Sequence, residues 1–133
     1  MAKVFTFKGK TIEELTAMNT EEFAKIVDSR ARRSLKRNQN KILDKSIQKA
    51  MKVKSAGKEP KPIKTHFRDT VITPKMVGLK FAVYNGKEFQ TIEVLPEMLS
   101  HYLGELVLTR KRLLHGKAGI GATKSSTAIT ARK

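Results

Sequence analysis

The sequence has 133 residues, enough for one compact domain with extensions, and its 28 Lys and Arg against 12 Asp and Glu give a net charge of +16 at pH 7. Self-repulsion of that size is relieved by a polyanion, so nucleic acid is the expected partner; fifteen basic and seven acidic residues fall in 1–59, thirteen and five in 60–133, so both halves are expected to touch it. Absence of cysteine excludes disulfides, thiolate metal sites and a cysteine nucleophile, and without an apolar leader or a run of about 20 apolar residues a soluble intracellular protein with no membrane partner is expected.

Thr11 and Glu14 have capping-box spacing, with Ile12, Leu15 and Met18 forming a short amphipathic stretch behind them. Asn19 and Glu22 repeat the signal at once. Phe23, Ile26, Val27 and Ala31 then continue a helical apolar stripe into the segment Arg30–Arg37, where five of eight residues are basic. Acid first and base last suits the helix dipole, but five cations exceed what the dipole needs. A further helix is predicted over about Gln39–Val53, with Leu43, Ile47, Ala50 and Met51 on one side at about 100° per residue and Lys41, Lys45, Lys49 and Lys52 roughly opposite. A lysine stripe on its own is often only a solvated face. Here Arg30–Lys58 holds eleven basic residues and one acid, Asp44, a density that like-charge repulsion disfavours unless an anion is bound.

Composition divides the chain into a helical basic extension (1–54), a Pro-containing linker (55–62), an α+β core (63–108) and a basic glycine-rich tail (109–133). In the core, Val71-Ile72 is strand-like, Thr73-Pro74 interrupts it, and Gly78 permits a turn. Asn85-Gly86, between the β-rich runs 79–84 and 89–95, signals a hairpin. A two-residue loop would pair Leu79 with Ile92; a three-residue loop from Tyr84 with Gly86 as a bulge would pair Phe81 with Phe89. Pro96-Glu97 is expected to start a short helix ending near Gly104, with Met98, Leu99, Tyr102 and Leu103 against the sheet. The fold class is therefore α+β: a small antiparallel-hairpin-containing sheet, a short packed helix, a basic helical arm and an extended tail. The six Phe and two Tyr are assigned mostly to the core. The acid-free tail cannot offset an ordering cost of about 1–2 kcal/mol per residue, so order on its partner is expected.

The glycines and Lys of 116–126 do not make a nucleotide-binding loop, because Thr123 precedes Lys124, no Gly-Lys-Ser/Thr closes the motif and no acid follows. The same residues let backbone N–H groups approach phosphates. His66, His101 and His115 have no second ligand at metal spacing, and no nucleophile, base and acid assemble, so neither enzyme, metal nor cofactor is expected.

In order, Lys64-Thr-His-Phe-Arg-Asp69, Thr73-Pro-Lys-Met-Val-Gly78, Val83-Tyr-Asn-Gly-Lys87, Pro96-Glu-Met98, His101-Tyr-Leu-Gly-Glu105, Thr109-Arg110 and 115–126 resemble the universal small-subunit ribosomal protein of the S-nineteen family. Phe7-Lys-Gly9, Glu14-Leu15 and Arg30-Ala-Arg-Arg33 are similar to its archaeal and eukaryotic branch. The resemblance implies a structural constituent of the small-subunit head that binds ribosomal RNA beside the S-thirteen family protein, near large-subunit bridge elements, its tail near the decoding region and transfer RNA. Carried over by position, it places His66, Arg68, Lys87, Arg110, Lys117 and Lys124 at RNA. Arg30, Arg32, Arg33, Lys36, Arg37, Lys75, His101, Lys111, Arg112, His115, Gly119 and Gly121 complete the expected set. Ser100 and Asn38 stand where the family usually has glycine. The alternative is a general nucleic-acid-coating protein, distinguished by equal binding to DNA and unrelated RNA.

Overall fold

In the computed structural model, residues 5–37 and 40–111 are described. A two-stranded ribbon, β1 (Thr6–Phe7) with β2 (Lys10–Thr11), leads into four helices: α1 (Ile12–Ala17), α2 (Thr20–Ile26), α3 (Ser29–Arg37) and α4 (Lys41–Ser55). Both capping boxes form. The Thr11 N–H donates to the Glu14 carboxylate at 3.1 Å, and the Asn19 N–H to that of Glu22 at 3.2 Å, which starts two short helices where the sequence marks them.

The stripe expected to run unbroken through Ala31 is interrupted. Val27 is extended and ends α2, and the Arg32 N–H donates to the Asp28 carbonyl at 2.8 Å as α3 begins anew. The break lets Phe23, Val27 and Ala31 all be buried although they belong to two helices. In α4, Leu43, Ile47 and Ala50 face inward as expected, while Met51 is exposed.

Three strands make the sheet, in the order β3 (Ile63–Thr65), β4 (Lys80–Tyr84), β5 (Phe89–Glu93). β3 runs parallel to β4 with Ile63 opposite Phe81; β5 is antiparallel to β4. The hairpin forms, but in neither expected register: Phe81 faces Ile92 and Tyr84 faces Phe89, leaving the four residues 85–88 as the turn. The Asn85 side-chain oxygen decides this. It accepts the N–H groups of Lys87 and Glu88, both at 2.9 Å, while the Asn85 N–H donates to the Glu88 carbonyl at 3.0 Å and Gly86 takes a positive φ of 104°.

The short helix expected after Pro96 does not form as one unit. Pro96–Met98 and Leu103–Glu105 are separate 3₁₀ turns, and between them Ser100 sits at φ 71°. The reason lies in the segment it meets. The N–H groups of Ser100, Leu103 and Gly104 donate to the carbonyls of Ile72, Thr70 and Arg68, and the His101 carbonyl accepts from the Ile72 N–H at 2.8 Å, so 68–72 and 100–104 pair side by side. The Val71–Tyr102 bridge belongs to this pairing. Leu99 and Leu103 remain buried, with Met98 and Tyr102 packed against the core, so the expected inward face survives the loss of the helix. Gly104 does not terminate a helix: a Cβ there would lie 2.9 Å from both the Cβ and the carbonyl oxygen of Arg68.

One buried cluster draws on helices and sheet together, with Leu15, Phe23, Val27, Leu43 and Ile47 from the first half and Ile72, Met76, Phe81, Val83 and Leu103 from the second. Two polar ties reinforce it. Ser34 and Tyr102 hydroxyls are 2.8 Å apart, and Lys54 Nζ donates to the Gly78 carbonyl at 3.0 Å. The helices therefore lock to the sheet, and their basic faces hold fixed positions.

Candidate nucleic-acid interface

Packing sorts the basic residues into two kinds. On α4, burial of Leu43, Ile47 and Ala50 leaves Lys41, Lys45, Lys49 and Lys52 exposed on the opposite side. On α3, burial of Ala31 leaves Arg30, Arg33, Lys36 and Arg37 at the surface. No acid from α3 or α4 pairs with them among the described residues; the three ion pairs there are Lys8–Asp28, Lys80–Glu59 and His101–Glu105. Lysines and arginines held on rigid helices without acidic partners are donors free for phosphate.

Arg32 and Arg68 belong to the other kind. Arg32 turns back along the chain, its Nε donating to the Ala24 carbonyl at 2.9 Å and its Nη2 to those of Lys25 and Val27, both at 3.1 Å. These carbonyls lie at the C-terminal end of α2, where no further turn supplies N–H groups. Arg68 donates from Nη1 to the Tyr84 carbonyl at 2.8 Å and from Nη2 to Gly104 at 2.7 Å and Val107 at 2.5 Å, in part-buried bonds. Its guanidinium joins the end of β4 to the 3₁₀ turn, and a planar five-donor fork is the one side chain able to serve three divergent carbonyls. Both arginines, expected at RNA from the sequence, commit these donors to backbone carbonyls.

The remaining expected residues fall in distinct places. Arg30 stands 5.9 Å from the centre of the Tyr102 ring, bringing the basic face of α3 to the segment that carries His101. His101 is exposed, its Nδ1 2.7 Å from a Glu105 oxygen. Lys75 is exposed on the 3₁₀ turn Pro74–Met76 and lines a cleft of about 280 Å³ with Ser34, Asp44, Gln48 and Asp69, an acid-lined recess unlike the helix faces. Lys87 is exposed in the hairpin turn; Arg110 and Lys111 are exposed beyond the core. Arg112, His115, Lys117, Gly119, Gly121 and Lys124 lie outside the described residues, as do Asn38 and the tail's expected ordering.

Sequence reasoning missed a group of rings. His66, Tyr84 and Phe89 gather at the hairpin end, with Lys64 Nζ 5.6 Å from the Phe89 ring centre. Phe89 is 37 % exposed and Phe67 45 %, exceptions to the expected core, in or against which Phe5, Phe7, Phe23, Phe81 and Tyr102 lie. The correct register would have exposed the signal, since it sets Tyr84 against Phe89. Elsewhere on the sheet, the Glu59 carboxylate, hydrogen-bonded to the Lys80 ammonium at 3.0 Å, raises that lysine's pKa above its ordinary value. No group of His, Cys, Asp and Glu among the described residues could hold a metal ion, and no described helix is long and apolar enough to cross a membrane.

The sequence is similar to known proteins over most of its length. Residues 33–115 match the family model described as Ribosomal protein S19. A protein of Saccharolobus solfataricus described as "Small ribosomal subunit protein uS19" is 49 % identical over 124 residues, which is 93 % of this chain and 89 % of that protein. One of the same description from Metallosphaera sedula is 47 % identical over 124 residues, with the same coverage of both chains.

Proposed function

The chain belongs to the ribosomal protein S19 family, and from that premise we propose that this small-subunit ribosomal protein, not an enzyme, binds ribosomal RNA in the subunit head. The observation that supports RNA as the ligand is the exposed lysine face of α4 and the exposed basic face of α3, both on helices fixed by one buried cluster. Affinity comes mainly from phosphates, so binding falls steeply with salt. Specificity comes from RNA shape and a few polar contacts.

The contacts lie on Arg30, Arg33, Lys36 and Arg37 of α3, on Lys41, Lys45, Lys49 and Lys52 of α4, and on His66, Lys75, Lys87, His101, Arg110 and Lys111. Arg32 and Arg68 act indirectly, by holding the elements that carry these contacts. The tail, with Arg112, His115, Lys117, Gly119, Gly121 and Lys124, extends the interface toward the decoding region and transfer RNA. The neighbours are the S-thirteen family protein and elements of the bridge to the large subunit.

Co-sedimentation of the tagged endogenous protein through a high-salt sucrose gradient tests this function. Retention with the small subunit is expected. Release into the free fraction, with DNA or unrelated RNA attached, would replace it with the nucleic-acid-coating alternative.

A further inference from the structure

Alternation along β4 sends Phe81 and Val83 into the core and leaves Lys80, Ala82 and Tyr84 on the sheet's other face. Tyr84 is opposite Phe89 in the β4–β5 ladder. Thr65 is opposite Val83, so His66, the next residue, comes beside Tyr84. The ring centres of His66, Tyr84 and Phe89 are 4.6, 5.1 and 5.2 Å apart, a closed triangle with every pair in contact.

The cluster is held rigidly from behind. The Tyr84 hydroxyl donates to the Gly86 carbonyl at 2.8 Å, and the Tyr84 carbonyl accepts from Arg68 at 2.8 Å. A cross-strand aromatic pair needs no ligand, because it stabilises the turn end of a hairpin by itself. That accounts for Tyr84 and Phe89. It leaves unexplained why exposed ring surface is kept beside His66, with the Lys64 ammonium over Phe89 and Lys87 in the adjoining turn.

We infer that His66, Tyr84 and Phe89 form a stacking platform for one unpaired RNA base, whose phosphate is met by Lys64 and Lys87. The inference rests on the RNA-binding function above and adds to it a base contact among the phosphate contacts. Charge complementarity favours a nucleotide over an apolar protein segment: among the described residues Lys64 and Lys87 make no ion pair, and Glu88 is the one acid in the turn. A nucleotide supplies a flat π-face for the rings and an anion for the two lysines. Lys64 moves from the face of Phe89 to the phosphate when the base arrives.

The test uses the full chain and deproteinised small-subunit ribosomal RNA from the same organism. The sequence has no tryptophan, so Phe89→Trp introduces a single reporter that retains a stacking ring. Its emission is expected to quench as RNA saturates it. Phe89→Leu is expected to weaken binding by on the order of tenfold while leaving the salt slope unchanged, because a stack and not a phosphate contact is removed. If RNA binds normally, the reporter stays unmoved and Phe89→Leu binds as tightly as the original, the platform is refuted and RNA binding stands. Emission that changes only on adding the other small-subunit proteins would make this face a protein contact, and also refutes it. Failure of the unmutated protein to bind the RNA removes both ideas at once. If Phe89→Leu does not fold, the reporter alone decides.

Discussion

Arg68→Ala should act on stability before it acts on RNA. The substitution removes three hydrogen bonds, to Tyr84, Gly104 and Val107, and leaves carbonyls at the end of β4 and in the 3₁₀ region without their donor. Hydrogen bonds from a charged donor contribute about 1.5–3 kcal/mol each, but three sharing one side chain do not add fully, and water reaches part of the site, so we expect a loss of about 3 kcal/mol. For a chain of this length that corresponds to a fall in Tm of roughly 10 °C. The assay is thermal unfolding followed by circular dichroism on the RNA-free protein. Arg68→Lys should rescue little, since one ammonium cannot span three carbonyls. Gly104→Ala should also destabilise, because the atoms its Cβ meets at 2.9 Å are the Arg68 Cβ and carbonyl oxygen, which alanine at position 68 retains. The two residues touch and share hydrogen bonds, so the double variant should depart from the sum of the two effects. An Arg68→Ala protein that melts normally but binds RNA poorly would refute the reasoning, because the guanidinium would then serve the ligand and not the fold.

Three further outcomes follow from the same geometry. Arg32→Ala frees the carbonyls of Ala24, Lys25 and Val27 at the end of α2 and should cost about 1–3 kcal/mol, read by denaturant unfolding without RNA. Ser100→Gly should raise stability by about 1 kcal/mol, since a side chain at φ 71° is strained where glycine is not; a lower melting temperature would mean that the serine side chain makes an interaction worth more than its strain. Lys45→Ala with Lys49→Ala should leave the melting temperature near its original value, as both are exposed on α4, and lower the salt slope of RNA binding by about 0.7–0.9 for each phosphate that is no longer neutralised.

What the sequence made legible was local. Thr11 and Asn19 start their helices through side chains that reach only three residues ahead, and the α4 stripe needs one helical period to show its faces. The errors arose where a distant segment competed. Leu99–Leu103 has helical spacing, yet the N–H groups of Ser100 and Leu103 are taken by the carbonyls of Ile72 and Thr70, some thirty residues away, and the spacing carries no trace of that partner. The hairpin register turned on an intermediate case: Asn85-Gly86 correctly marks the turn, but the Asn85 side chain caps a four-residue loop, a choice between turn chemistries that the dipeptide alone leaves open. β3 was hidden because a three-residue strand is too short to show alternation, and it exists by pairing with β4.

The same distinction separates the basic residues, and there it bears on function. In sequence, Arg32 and Lys36 or Arg68 and Lys64 are equivalent charges in a basic stretch. In the fold they divide by what the side chain meets: a delocalised guanidinium with five fixed donors can serve several converging carbonyls at once, whereas an ammonium is a compact, strongly hydrated point charge. Arg32 and Arg68 accordingly sit where the backbone ends an element and leaves acceptors unfilled, and Lys41, Lys45, Lys49 and Lys52 of α4 face solvent. Charge density therefore does not distinguish cations that bridge backbone carbonyls from cations that face solvent, and the two arginines of the first kind brace the elements that carry the second. An arginine bonded to backbone carbonyls and a solvent-facing lysine would both weaken RNA binding when removed. Only the lysine would lower its salt slope at unchanged stability, and measuring stability and salt dependence on the same variant therefore separates scaffold from contact residue by residue.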